Sequence, residues 1–145
     1  MLYVITGPPA AGKSSWIQAR ATQRDIVIDL DRIALALAGP DAPSWTHTDT
    51  LLRVAHRARF AAIDEAIKHR DDVDVYLIHT MPSRKAIARY ERLGGKIITV
   101  DPGRDIVMQR IRDMRSTGLL ATATNWYRQR KRLPAPSGRQ SSRDW

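Results

Sequence analysis

One segment constrains this chain more than any other: Gly7-Pro8-Pro9-Ala10-Ala11-Gly12-Lys13-Ser14, of the form G-x-x-x-x-G-K-[ST]. It directly follows an apolar, β-favouring run, Leu2-Tyr3-Val4-Ile5-Thr6, and Ser14-Ser15-Trp16-Ile17-Gln18-Ala19-Arg20 can continue from it as a helix. Strand, glycine loop and helix in that order are what a phosphate cradle requires. Glycines let the backbone bend until successive N–H groups point at phosphate oxygens, and the helix adds the positive end of its dipole. On this reading Gly7, Pro8, Pro9, Ala10, Ala11, Gly12, Lys13, Ser14 and Ser15 bind a nucleoside triphosphate. Lys13 reaches the β- and γ-phosphates, and the Ser14 hydroxyl ligates Mg²⁺. ATP and Mg²⁺ are therefore the expected ligands.

The rest of the chain alternates apolar runs with helical stretches. The first helix is expected to reach about Arg24. Residues 26–29 read as a second strand, followed by a short helix over 31–37. Gly39-Pro40-Asp41-Ala42-Pro43-Ser44 reads as a loop. A long helix spans roughly 49–69, with Leu51, Leu52, Val54, Ala55, Ala58, Ala62, Ile63, Ala66 and Ile67 on or near one face. A third strand covers 73–79. A helix starts near Pro82 and stops at Gly94-Gly95. A fourth strand covers 96–100, a helix runs from 104 to about 115, Ser116-Thr117-Gly118 breaks it, and a final helix covers 121–132.

That β-α-β-α order predicts an α/β fold, a parallel sheet with helices on both faces. With 145 residues and 43% hydrophobic content the chain fits one domain with a real core. The domain is set at residues 1–132. Residues 133–145, opening Leu133-Pro134-Ala135-Pro136-Ser137-Gly138, form a basic tail that is expected to be mobile.

Ligands in such sheets bind at the carboxyl ends of the strands. The second strand delivers Asp29 and Asp31 to that edge, the third His79 and Thr80, the fourth Asp101. A kinase needs a carboxylate to accept the proton of the acceptor hydroxyl, and often another to organise Mg²⁺ through water. Asp31 is the candidate base and Asp29 the candidate metal carboxylate; the competing reading of Asp31 is a helix N-cap. In the helix after the fourth strand, Val107, Ile111 and Met114 form the expected buried stripe. Arg110, Arg112 and Arg115 lie beside it and approach residues 116–120, a segment expected to be mobile and to close over the transferred phosphate. Arg115 and Arg112 are the first candidates for catalytic arginines, and Arg110 for a nucleotide contact. Arg53, His56 and Arg57 share a face of the long helix, where they flank the acceptor or simply meet solvent. Trp45 stacks on a base or packs on the core. Trp126 and Tyr127 read as packing. The one apolar run that ends in Asp-Glu, Phe60-Ala61-Ala62-Ile63-Asp64-Glu65, lies inside the long helix rather than at the end of a strand, which counts against a motor ATPase.

Net charge is +9, of which residues 128–145 carry +5 and residues 1–127 carry +4. Such a balance attracts nucleic acid, free nucleotides or any polyanion. There is no cysteine, which excludes disulfides and thiolate metal sites and fits a reducing cytoplasm. The first residues read as a strand rather than a charged leader, so no signal peptide is expected. Nor does any apolar run approach the ~20 residues of a membrane span.

Taken together, the loop at 7–14, the acidic Asp29-Leu30-Asp31, and Lys96-Ile97-Ile98-Thr99-Val100-Asp101-Pro102 leading into Val107-Met108-Gln109-Arg110 resemble the polynucleotide-kinase branch of the P-loop phosphotransferases, especially the small kinases of bacteriophages. Asn125-Trp126-Tyr127-Arg128-Gln129-Arg130 is similar to that family's helix after the lid. The resemblance covers nearly the whole length. It implies a three-layer α/β/α fold of the P-loop NTPase, adenylate-kinase-like kind, with four to five parallel strands. It further implies transfer of the γ-phosphate of ATP to a 5′-hydroxyl of DNA or RNA, in the host cytoplasm if the chain is phage-encoded. Asp31 would match the family's base, Lys13 and Ser14 its phosphate and Mg²⁺ contacts, and Arg110 or Arg115 its lid arginines. Two positions depart from the pattern. The family commonly has an arginine three residues after the base, where this chain has Ala34; it often has an acidic residue ending the third strand, where this chain has His79-Thr80. A nucleoside, nucleotide or other small-molecule kinase, and a nucleotide-dependent binding module without transfer activity, remain the alternatives.

Overall fold

Four short runs rich in valine, isoleucine and leucine make the sheet. The computed structural model describes residues 1–44, 46–114 and 116–136. Strands β1 (Leu2–Thr6), β2 (Ile26–Ile28), β3 (Val75–Ile78) and β4 (Lys96–Thr99) pair in the order β2-β3-β1-β4, all parallel. Leu2 lies opposite Val75, and Tyr3 opposite Lys96. Parallel neighbours need long crossovers, which here are helical. Among the described residues the crossovers carry α1 (Lys13–Gln18), α2 (Leu30–Leu37), α3 (Asp49–Ala66) and α4 (Arg84–Arg92), and α5 (Arg104–Asp113) and α6 (Thr117–Gln129) follow β4.

Successive side chains in β1 alternate between two cores, because side-chain direction reverses at each strand residue. Ile5 packs with Trp16, Ile17, Val107, Ile111 and Ala123, from α1, α5 and α6. Leu2 and Val4 pack with Ile63, Ala66 and Tyr90, from α3 and α4. Helices thus cover both faces of the sheet. The outgoing connections of the adjacent strands β1 and β3 cross opposite faces, since α1 belongs to the first core and α4 to the second. A crevice opens at the carboxyl ends of such a strand pair. No helix among the described residues is long and apolar enough to cross a membrane.

The structure departs from the sequence expectation at four places. Helix α1 ends at Gln18, not near Arg24. The Asp25 carboxylate accepts from the Thr22 backbone N–H (2.7 Å) and hydroxyl (2.9 Å), and its other oxygen accepts from Asp74 N–H (3.2 Å), so this stretch is a turn tied to the start of β3. Second, the expected break at Ser116-Thr117-Gly118 and mobile segment 116–120 are mostly helix. Helix α6 begins at Thr117, because Leu119 and Leu120 pack on the first core and that burial outweighs the helix cost of one glycine. Third, Met114 is exposed, and Met108 fills the buried stripe with Val107 and Ile111. The fourth lies past the expected domain boundary at 132. The Thr99 hydroxyl donates to Pro134 O (2.8 Å), and Pro136 makes an isolated parallel bridge with Thr99, so residues 133–136 lie against β4. The remainder of the tail, 137–145, lies outside the described residues.

Candidate functional site

The loop between β1 and α1 carries its conformation in three residues. Gly7 has φ 145, and a Cβ there would sit 2.1 Å from the carbonyl oxygen of Val100, just past β4. Gly12, the N-cap of α1, has φ 91, and no side chain caps the helix. Ala10 has φ 58, a left-handed conformation that costs an alanine roughly 1–2 kcal/mol. Arg110 offsets that cost: its Nη1 donates to Ala10 O at 3.1 Å. Lys13 folds back on the loop and donates from Nζ to the carbonyls of Gly7 (3.0 Å) and Pro8 (2.7 Å). Burial pulls its ammonium down to about 8, against the opposing pull of Asp29 and Asp31. The side chains of Ser14 and Ser15 are exposed.

Asp29 ends the β2 edge. It is the N-cap of α2, its Oδ1 accepting from the Asp31 backbone N–H at 3.1 Å. The N-cap reading of Asp31 is therefore corrected: Asp29 takes that role, because its backbone is extended (φ −131, ψ 124) while Asp31 is already helical. Burial raises the Asp29 carboxyl, opposed by its bond from Asp31 N–H and by the charges of Arg32 and Lys13. The Asp31 carboxylate is open to solvent, 74% exposed, with His47 Nε2 at 3.3 Å. The His47 side chain is only 4% exposed, and among the described residues neither ring nitrogen has a hydrogen-bond partner.

At the β3 edge, His79 Nδ1 lies 3.0 Å from Tyr90 Oη. Burial first, and the charge of Arg59 second, pull His79 down to about 4, so the ring is neutral near pH 7. Arg59 itself is 7% exposed and donates from Nη2 to Ile78 O at 2.9 Å. Nothing in the sequence reading singled out Arg59 or His47. The signal for Arg59 was present: it stands at the centre of the Ala55, Arg59, Ile63, Ala66 stripe, a charged residue where the helix turns its buried side inward. His47 lies in an aperiodic loop and gave none.

Helix α6 seals the crevice. Trp126 Nε1 donates to Thr80 O (2.8 Å), next to the weak Gly7 N–H to Thr80 O contact (3.4 Å). The Tyr127 hydroxyl donates to Asp101 Oδ1 (2.6 Å), and the other Asp101 oxygen meets Arg130 at 3.3 Å. Burial and the Asp101 carboxylate push the Tyr127 phenol well above its ordinary range. Asp101 is thereby committed to anchoring α6. Arg112 is not brought to the loop; it is exposed, with Nη1 at 3.3 Å from Gln109 Oε1. Arg115 and Trp45 lie outside the described residues. Arg53, His56 and Arg57 line a depression on the outer face of α3 together with Val54 and the exposed Phe60.

Among the described residues there is no group of three or more histidine and carboxylate ligands for a metal. Magnesium in nucleotide sites asks for one or two protein ligands, the rest coming from phosphate oxygens and water. Ser14 and Asp29 have that character. Compared with known proteins, the chain is matched by no family model and by no curated sequence.

The arrangement gathers three chemical capacities at one sheet edge. Residues 7–14 offer a glycine-shaped loop with a lysine. The end of β2 offers one half-buried and one open carboxylate. Arg110 joins the loop from α5.

Proposed function

We propose that this chain is a Mg²⁺-dependent phosphotransferase that moves the γ-phosphate of ATP to a 5′-hydroxyl of DNA or RNA, on a P-loop NTPase fold of the adenylate-kinase-like kind. The observation that carries the reading is that the loop lysine and the two carboxylates share the carboxyl edge of the sheet: Asp29 and Asp31, at the end of β2 with β3 between it and β1, act on the Lys13 charge from across the crevice. A donor's phosphates would lie on the loop N–H groups and Lys13, with Arg110 at the same loop offsetting charge on the transferred group. Mg²⁺, held by the Ser14 hydroxyl and by Asp29 through water, would neutralise phosphate charge.

Asp31 is the base. Its open carboxylate takes the proton of the acceptor hydroxyl as that oxygen bonds to the γ-phosphorus. The bond from that phosphorus to the β-bridging oxygen breaks, and ADP leaves with the electron pair. Solvent exposure leaves the Asp31 oxygens accessible to an incoming hydroxyl.

The net charge of +9 supports a polyanionic acceptor. One observation favours a smaller one: Ala34 is fully buried, so no arginine projects from α2 at that position. Salt separates the two. Activity on a 5′-hydroxyl oligonucleotide should fall steeply as salt rises from about 50 to 200 mM, whereas a nucleoside acceptor should be far less affected. Equal salt profiles would move the acceptor to the small-molecule class, and ATP binding with no transfer to either would support the switch reading.

A further inference from the structure

We infer that His47 is a positioning residue: it holds one oxygen of the Asp31 carboxylate so that the other is presented to the acceptor hydroxyl. His47 Nε2 lies 3.3 Å from Asp31 Oδ1. The two side chains stand in opposite surroundings. The Asp31 carboxylate is 74% exposed, and among the described residues His47 is the polar side chain against it. The His47 side chain is 4% exposed, and among the described residues neither ring nitrogen completes a hydrogen bond. Enclosed polar atoms are ordinarily bonded, because their lost hydration is otherwise uncompensated. Stability alone therefore favours an apolar side chain at position 47. A histidine there makes physical sense through the carboxylate that its ring touches.

Both backbones are set locally. Asp31 is in the first turn of α2, its N–H bonded to Asp29 Oδ1 at 3.1 Å. His47 directly precedes Thr48, the N-cap of α3, whose hydroxyl oxygen accepts from Leu51 N–H at 3.3 Å. The loose part is the exposed carboxylate, which is free to turn about its own bonds. A base cannot work that way, since a misplacement of about 1 Å can cost on the order of 10²-fold in rate. The buried ring is the fixed partner. Its contact with a carboxylate favours the tautomer that carries the proton on Nε2, so Nε2–H donates to Oδ1 and Oδ2 is left for the acceptor. The 3.3 Å separation is longer than a full charge-assisted bond, and catalytic hydrogen bonds commonly tighten when substrate binds. The inference rests on the phosphotransferase reading for the role of Asp31, but the contact can be measured without transfer.

The test uses the full chain. His47→Leu removes the donor and both enclosed nitrogens while keeping the place filled; His47→Phe is the second donor-less variant should His47→Leu not fold. The expected result is a thermal midpoint that is unchanged or raised, with kcat lowered on the order of 10-fold or more and KM for ATP unaltered. His47→Gln returns an amide N–H near the place of Nε2 and should bring kcat back to within about threefold of the natural chain. In an Asp31→Asn background His47→Leu should add less than about twofold, because residues that act as a unit do not lose additively. A merely structural His47 would lower the midpoint and add its full loss in that background. Nitrogen NMR of the His47 ring reads the contact without transfer, and Asp31→Ala should shift Nε2 more than Nδ1. A folded donor-less variant with undiminished kcat, or an Nε2 signal indifferent to Asp31→Ala, overturns the inference. An Nε2 shift in a chain that moves no phosphate would uphold the hold of His47 on Asp31 and overturn the kinase reading; transfer with kcat indifferent to His47 would do the reverse.

Discussion

Arg110 Nη1 donates to the Ala10 carbonyl at 3.1 Å, tying α5 to the middle of the loop at residues 7–14. One contact does two things. It steadies an alanine in the left-handed region, and it places a cation beside the loop. Arg112, two residues on, is engaged with Gln109 instead. Arg110→Ala should therefore lower the transfer rate by on the order of 10²-fold or more, whereas Arg112→Ala should change it by no more than about threefold. Steady-state kinetics on the two variants decides this, and a larger loss in Arg112→Ala would mean that α5 moves during turnover.

Lys13 gives a proton signature. Its ammonium sits at about 8, held down by burial, and a bound triphosphate would raise it again. ATP binding should then take up protons between pH 8 and the ordinary lysine range near 10.5, and affinity should fall as pH rises through that window. Calorimetry in two buffers of different ionisation enthalpy measures the uptake. Lys13→Ala should abolish it.

His79 should make the fold acid-sensitive. Its folded value is about 4 against 6.5 for a free histidine, so the folded state keeps the ring neutral while the unfolded chain protonates. Above pH 6.5 both states are neutral and the group contributes no pH dependence. Between 6.5 and 4 stability falls with pH, by an upper limit of about 3 kcal/mol, and below 4 this contribution levels off. Urea unfolding across that range should show the slope, and His79→Gln should flatten it.

Two glycines should behave oppositely. Gly7→Ala brings a Cβ within 2.1 Å of the Val100 carbonyl in a strained backbone conformation, and should cost about 3 kcal/mol or more. Gly118 lies in the first turn of α6, with nothing within 4 Å of where an alanine methyl would sit, so Gly118→Ala should stabilise by about 0.5–1 kcal/mol. Thermal unfolding of the two variants tests both signs.

The elements were legible where a local rule decides them. β1 ends at Thr6 as the apolar run requires, and Ser83 caps α4 just after Pro82, with Gly94 in the left-handed conformation beyond it. The glycines of the loop, and the placing of Asp29 and Asp31 at the same sheet edge as Lys13, follow from the same local logic. What the sequence left dark depended on tertiary contact. Leu119 and Leu120 carry α6 back over a glycine by packing on the core, and Asp25 makes 22–25 a turn, not helix, through bonds to Thr22 and to residue 74. Arg59 was hidden because a helical stripe is read by its apolar members, and His47 because its neighbour Asp31 is distant in sequence from the loop that brings it there.

The most direct measurement is transfer of label from γ-labelled ATP, with Mg²⁺, to a 5′-hydroxyl oligonucleotide, comparing the natural chain with Asp31→Asn. The account predicts labelled oligonucleotide from the natural chain and a loss on the order of 10²-fold or more in the variant, with ATP binding retained. Transfer at an undiminished rate by Asp31→Asn, or ATP binding by the natural chain with no label moved to the oligonucleotide, would contradict it.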